Sequence, residues 1–462
     1  MIMTDDSRTA ALRARVQALM PRAKADLAEL VSFRSVADPR QFPAAECERA
    51  AHWVRDAFRA AGLTEAGLYE TPDGTSSVVA RYPAPPGAPT VLLYCHYDVQ
   101  PPLDEAAWVT PAWELHERDG RWYGRGAADC KGNLVAHLTA LRALREELGG
   151  NDFPVGITLV SEGSEEQGGA GLEQFVPRNA ELLRADALVI GDCGNFAAGV
   201  PTFTQTLRGT VNVLVTLETL SGPLHSGMFG GAAPDAVTAL VHLLATLHDE
   251  RGNTTVDGLT ADQVWDGVQY SAGQFRADAG VLDDVALFGD GTISDMLWAR
   301  PALTVLGMDV PPVVGSAAAL QPRARARLNL RIPPGLEPDR ALRELTAHLR
   351  AHTPWRARLT VETEAVGAPF RSGTGGPARA AMEAALAAAY GRPATTQGQG
   401  GSIPLCNVFA ETYPDAEIML VGVEEPACLI HAPNESVDPA EIERIALAEA
   451  LFLAGYAVAR SA

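Results

Sequence analysis

Val91-Leu-Leu-Tyr-Cys95 sets five apolar residues side by side and then turns at once to His96-Tyr-Asp98. A half-exposed strand alternates apolar and polar positions. An unbroken run this short suits a strand covered on both faces, as in an α/β sheet. Val155-Gly-Ile-Thr-Leu-Val160 and Ala187-Leu-Val-Ile190 repeat the pattern. Between the first two lie residues 131–148, whose Leu134, Leu138, Leu141, Leu144 and Leu148 recur at helical spacing. Strands and helices in alternation predict an α/β fold with a mostly parallel sheet flanked by helices.

The pattern changes after residue 204. Val211, Val213, Val215 and Leu217 alternate with other positions, which predicts a strand with one solvated face. Residues 235–248 place Val237, Leu240, Val241, Leu244 and Leu247 on one helical stripe, residues 324–332 alternate again, and residues 341–352 read as another helix. Two one-sided strands, each with its helix, predict a smaller inserted α+β layer. An alanine-rich helix at Pro377–Tyr390 and an apolar strand at 417–423 then return to the first pattern. The expected division is a discontinuous metal-binding domain, 1–204 and 368–462, interrupted by an insert of 205–367.

Acidic and histidine residues fall where these strands stop. His96 and Asp98 follow the first, Glu165-Glu166 the second and Asp192 the third, while His431 comes after the last, past a turn. Asp129 stands just before the helix that begins near Lys131. In open α/β sheets ligands gather at the carboxyl ends of strands, so five separate segments can converge on one site. Two imidazoles and three or more carboxylates can hold two divalent cations. Nitrogen and oxygen donors in this mix suit zinc, with manganese or cobalt as alternatives. Such a pair of cations activates a water and polarises a carbonyl, and one carboxylate must stay off the metals to take the proton. The adjacent Glu165 and Glu166 offer that division. Singly, each group has a plainer reading: Asp129 is a good helix N-cap, and two glutamates in a row are usually a solvated loop. Their coincidence at five segments favours the metal centre. Cys95, Cys130 and Cys193 adjoin these positions but are expected to be small buried residues, because neighbours along a strand face opposite ways.

Of the 462 residues 47% are hydrophobic and 20% charged, enough to bury a sizeable core. The 57 acidic residues outnumber the 37 Lys and Arg, for a net charge of -20. Such a chain repels phosphate backbones and anionic lipid, so neither nucleic acid nor a membrane surface is an expected partner. The opening Met1-Ile-Met-Thr-Asp-Asp6 lacks a signal peptide's basic flank and apolar run, and no stretch is apolar enough to span a bilayer. Six cysteines without paired spacing are not a disulfide framework. A cytoplasmic location is expected.

His96-Tyr-Asp-Val-Gln-Pro101, Gly124-Arg-Gly-Ala-Ala-Asp-Cys-Lys-Gly132, Glu162-Gly-Ser-Glu-Glu166, Leu224-His-Ser-Gly-Met-Phe-Gly-Gly231 and Gly400-Gly-Ser-Ile-Pro404 together resemble the M20 metallopeptidase family. Within it they look most like the carnosinase-like cytosolic dipeptidases. The resemblance implies that His96 and Asp192 ligate one metal, Glu166 and His431 the other, and Asp129 bridges both. It makes Glu165 the general base and has Asp98 orient His96. It further implies that His225 stabilises the oxyanion, often from a partner subunit. Arg331, with Gly401 and Ser402, would hold the substrate's terminal carboxylate, and the insert would be a lid and dimerisation domain of a homodimer.

The implied activity is hydrolysis of dipeptides or short peptides. An N-acyl-amino-acid deacylase or desuccinylase on the same scaffold is the alternative. A binding protein on a dead hydrolase fold is a third reading, opposed by the presence of Glu165 and all five ligand positions. The chain departs from the family at Cys130, at Gln397-Gly-Gln399 and at Ala317-Ala-Ala-Leu-Gln-Pro322. These changes leave the metal set intact and concern the substrate subsites. Arg323, Arg325 and Arg327, which alternate along one strand ahead of Arg331, are expected to form a solvated face.

Overall fold

The computed structural model describes residues 5–461 apart from Asn151, Gly169 and Ser402. The chain begins with α1 (Asp5–Ser32), α2 (Ala44–Ala60), β1 (Glu65–Glu70), β2 (Ser76–Tyr82), β3 (Thr90–His96), α3 (Lys131–Glu147), β4 (Gly156–Glu162), β5 (Ala187–Ile190) and β6 (Thr202–Leu207). It continues through β7 (Gly209–Glu218), α4 (Ala236–Ala245), β8 (Ala302–Asp309), β9 (Arg323–Ile332), α5 (Pro338–Ala351) and β10 (Arg358–Gly367). It closes with α6 (Pro377–Tyr390), β11 (Glu417–Leu420) and α7 (Pro439–Ser461). Two compact units result, one of residues 1–205, 372–397 and 405–462, the other of 206–371 with 398–404.

In the first unit the apolar runs form the middle of the sheet, whose strands follow the order β1-β2-β4-β3-β5-β11-β6. β4, β3, β5 and β11 are parallel, as the unbroken apolar runs require, and β2 adds to this block antiparallel. Register decides where the chemistry goes. His96 lies opposite Glu162, Tyr94 opposite Ile190, and Ile190 opposite Leu420, so these four strands stop along one edge and their following loops share one rim. Val91, Leu93, Cys95, Leu159 and Val189 are fully buried in a core with Leu27 and Leu30 of α1, Leu134 and Leu138 of α3, and Leu453 of α7. Each such side chain contributes about 1.5–3 kcal/mol relative to its exposed state.

α3 is enclosed on every side, since every residue from Lys131 to Leu144 is buried, rather than along the leucine stripe alone. Its polar groups are therefore paired. His137 joins Glu449 at 2.8 Å and the Tyr94 carbonyl at 3.1 Å, and Lys131 Nζ donates to the carbonyls of Leu30 and Phe33.

The second unit is an antiparallel sheet of order β8-β9-β7-β10. Val211, Val213, Val215 and Leu217 are fully buried against α4 and α5, which is what their alternation predicts. Of the stripe expected on α4, Leu240 and Leu247 are buried and Val237 and Leu244 pack against the same core, whereas Val241 is 53% exposed. Ala236, Ala239 and Leu243 join the buried face, which a hydrophobicity pattern alone does not reveal. Arg325 and Arg327 pair with Asp309 and Glu364 on the other face. No helix among the described residues is long and apolar enough to cross a membrane.

Candidate active site

At the end of β3, His96 is fully buried. Its Nε2 lies 3.0 Å from Asp129 Oδ1 and 3.2 Å from Asp192 Oδ1. The other oxygen of Asp129 lies 2.9 Å from His431 Nε2, which is itself 3.3 Å from Glu166 Oε2. The structure thus brings His96, Asp129, Glu166, Asp192 and His431 together within the first unit. They form two nitrogen–oxygen clusters that share one carboxylate.

Each arm of this arrangement is held by a specific support. Asp98 faces His96 Nδ1 with a side-chain oxygen at 3.3 Å and its own carbonyl at 3.0 Å, which assigns the ring proton to Nδ1 and leaves Nε2 for a ligand. The same Asp98 carboxylate accepts the backbone N–H groups of Glu165 (3.2 Å) and Glu166 (3.0 Å). Gln100 donates to Glu166 Oε2 at 2.7 Å, whereas the Glu165 carboxylate has no hydrogen-bond partner among the described residues. One of the two adjacent glutamates is therefore tied down and the other is free.

The Asp129 loop rests on Glu435, a residue the sequence did not flag. Its buried carboxylate accepts from the backbone of Gly126 (2.9 Å), Ala128 (3.0 Å) and Asp129 (3.0 Å), and from Arg125 Nη1 (2.7 Å). A Glu435→Ala protein is expected to lose about 3–5 kcal/mol of stability, because Arg125 Nη1 and three amides would be left buried without that acceptor. Denaturant midpoints would check this, and an unchanged midpoint would refute it. A second unflagged acid, Glu424, lies buried beside Asp129 and Asp192 and receives Asn133 Nδ2 at 3.2 Å. Its signal was the familiar one, an acidic residue just beyond an apolar strand. Cys130 is a buried thiol that donates to the Gly191 carbonyl, consistent with a small filler beside the cluster.

So many acids in so little water create a demand for positive charge. Burial, then the neighbouring Asp192, pushes Glu165 well above the usual carboxylate range, and burial raises Glu166 and Asp192 as well. Burial alone would raise Asp129 too, but its hydrogen bonds to His431 and His96 hold it low. His431 responds in turn: its bonds to Asp129 and Glu166 raise it to about 11. In the metal-free protein, protons on the imidazoles occupy the gaps between anions. Imidazole nitrogen and carboxylate oxygen are the donors borderline divalent cations take, so the cluster fits such ions.

A proton count follows from this. At pH 8 His431 carries a proton that a cation must displace, so metal binding should release protons and tighten as pH rises toward 11. The sign for folding is opposite. In the metal-free state the raised His431 stabilises the fold fully below its ordinary value of 6.5, and that contribution is lost as pH climbs through about 11. Zinc titration in weakly buffered solution would show the released protons; no acidification would contradict the arrangement.

The remaining candidates belong to the second unit. His225 ends a two-residue strand, Leu224–His225, paired with Ala319–Leu320, and is exposed. Its Nδ1 accepts from the Gly227 N–H at 3.1 Å, which leaves Nε2 as the donor of the neutral ring. Arg331 stands on β9 opposite Thr210, and burial lowers its pKa. Gly401 is exposed in the stretch 398–404, while Ser402 lies outside the described residues.

A family model described as peptidase family M20/M25/M40 matches residues 92–454. The cysteinylglycine-S-conjugate dipeptidase of Corynebacterium striatum is 44% identical over 437 residues, spanning 93% of this chain and 94% of that protein. The Cys-Gly metallodipeptidase dug1 of Schizosaccharomyces pombe is 31% identical over 286 residues, 59% of each chain. Among solved structures, human carnosine dipeptidase 1 superposes with a TM-score of 0.82 at 23% identity, covering 97% of this chain and 99% of that one, a likeness of fold.

Proposed function

Because the chain belongs to peptidase family M20/M25/M40 and is a metallodipeptidase, we propose that two divalent cations share Asp129 and that Glu165 is the general base. The observation that carries this reading is the divided Asp129 carboxylate, one oxygen on His96 and the other on His431. His96 and Asp192 would hold one cation, Glu166 and His431 the other, with zinc first and manganese or cobalt as alternatives. When bound, such a pair lowers the pKa of a shared water and polarises the scissile carbonyl.

The chain's own groups do the rest. Asp98 fixes the tautomer of His96 and, through the two backbone amides, the aim of Glu165. Glu165, whose carboxylate has no hydrogen-bond partner among the described residues, is suited to taking a proton from the attacking water and returning it to the leaving amine. His225 Nε2–H would donate to the carbonyl oxygen as it gains charge, supplied from a partner subunit in a homodimer built through the second unit. Arg331, Gly401 and Ser402 would hold the terminal carboxylate. The second unit would then be the lid and dimerisation domain, and the location cytoplasmic. The net charge of -20 supports a protein with no nucleic-acid or membrane partner.

The relative that is 44% identical acts on cysteinylglycine S-conjugates, and on that ground we take Cys-Gly-type dipeptides as the first substrate class. The deacylase reading is not favoured. A panel of Cys-Gly, an S-substituted Cys-Gly, β-Ala-His and N-acetyl and N-succinyl amino acids, assayed after zinc or manganese loading, tests this. Fastest cleavage of the Cys-Gly pair is expected. Fastest deacylation would overturn the substrate class, and silence on the whole panel would overturn the activity.

A further inference from the structure

Arg208, between β6 and β7, is 9% exposed, and its Nε and Nη1 are buried without a hydrogen-bond partner among the described residues. Its backbone N–H donates to the Gln399 carbonyl at 3.1 Å. Burial, then the like charge of Arg331, lowers its pKa to about 10, and no acidic group acts on it. Arg331 likewise has no ion pair or hydrogen bond among the described residues. Proteins seldom bury a guanidinium unpaired, since stripping its water without a replacement acceptor costs several kcal/mol. Two guanidiniums near each other, both short of acceptors, form a receptor for an anion. A planar carboxylate matches the fork of N–H donors. Gly400 belongs to the same place: a Cβ there would stand 2.9 Å from Arg208 Nη2, so glycine is what lets the guanidinium occupy its position. All three residues lie in the second unit.

We propose that Arg208 is a specificity-determining residue that, with Arg331, binds the carboxylate of the peptide's free C-terminus. The inference rests on the dipeptidase reading above, because the terminal carboxylate is the anion that reaction must recognise. It adds a buried donor that the sequence motifs did not point to. It also gives the departure at Gln397-Gly-Gln399 a physical meaning, because this stretch leads into Gly400.

The test compares a dipeptide with its C-terminal amide in the metal-loaded full chain. The wild-type enzyme should prefer the free acid. In Arg208→Gln, kcat/KM for the acid should fall by roughly 30-fold or more, mainly through KM, while the amide changes little, so the preference collapses. Gly400→Ala should act in the same direction by pushing the Arg208 guanidinium aside, and its backbone is free of strain. It therefore serves if Arg208→Gln does not fold. Inhibition by free glycine should weaken in parallel. Unchanged acid-to-amide preference in folded, metal-loaded variants would make Arg208 structural and overturn the proposal. A wild-type chain that cleaves no dipeptide would instead overturn the reading on which it rests. Loss of activity toward acid and amide alike would also count against a carboxylate role.

Discussion

A Glu165→Ala protein is expected to keep its cations and lose turnover by roughly 10²–10⁴-fold. The reason lies in how the two adjacent glutamates are treated. Glu166 is fixed by Gln100 and sits 3.3 Å from His431, whereas the Glu165 carboxylate has no hydrogen-bond partner among the described residues. Glu165 is not among the residues that would hold the cations, so their affinity should fall little. Metal content measured beside kcat separates the two effects. Wild-type turnover in Glu165→Ala would show that another group takes the proton. Loss of metal along with turnover would show that Glu165 is a ligand.

Asp129→Ala should do more damage, with both cations weakened and activity below detection. Its two oxygens serve different histidines, at 3.0 and 2.9 Å, so a single truncation removes a ligand from each cluster. It also leaves His96 and His431 without the carboxylate that both imidazoles share. Equilibrium dialysis against zinc is the measurement. Two cations retained at wild-type affinity would exclude a bridging Asp129, and one retained would show that it serves a single cluster.

Much of this site was readable before any coordinates, for a physical reason. Strands buried on both faces must be apolar throughout, so the abrupt change at His96 or Asp192 marks where the chain leaves the sheet. In a parallel sheet all such exits lie on one edge. His431 was harder, since the path from the end of β11 at Leu420 leaves no periodicity to follow, and only its place after the last apolar strand pointed to it. Glu435 was invisible because its contacts run to residues more than 300 positions away, and no local pattern records such a partner. Nothing in the sequence around Arg208 marks it, and three-dimensional burial is what shows its Nε and Nη1 without an acceptor among the described residues. On α4 only Val241 was misplaced, because the alanines that share its buried face are underweighted beside valine and leucine.

The two histidines are not equals. His96 is sealed at the end of a buried strand with none of its side chain exposed, while His431 has 52% exposed and a left-handed backbone, φ 62. A ligand on a surface loop, held in a backbone shape that side chains resist, lets go sooner than one locked in a sheet. Exchange with the medium should therefore be lopsided. The cation between His96 and Asp192 would be a long-term resident, and the one between Glu166 and His431 a visitor whose identity follows supply. An enzyme built this way need not be rebuilt to change metals. Its working state would follow whichever divalent ion its surroundings offer at the looser position.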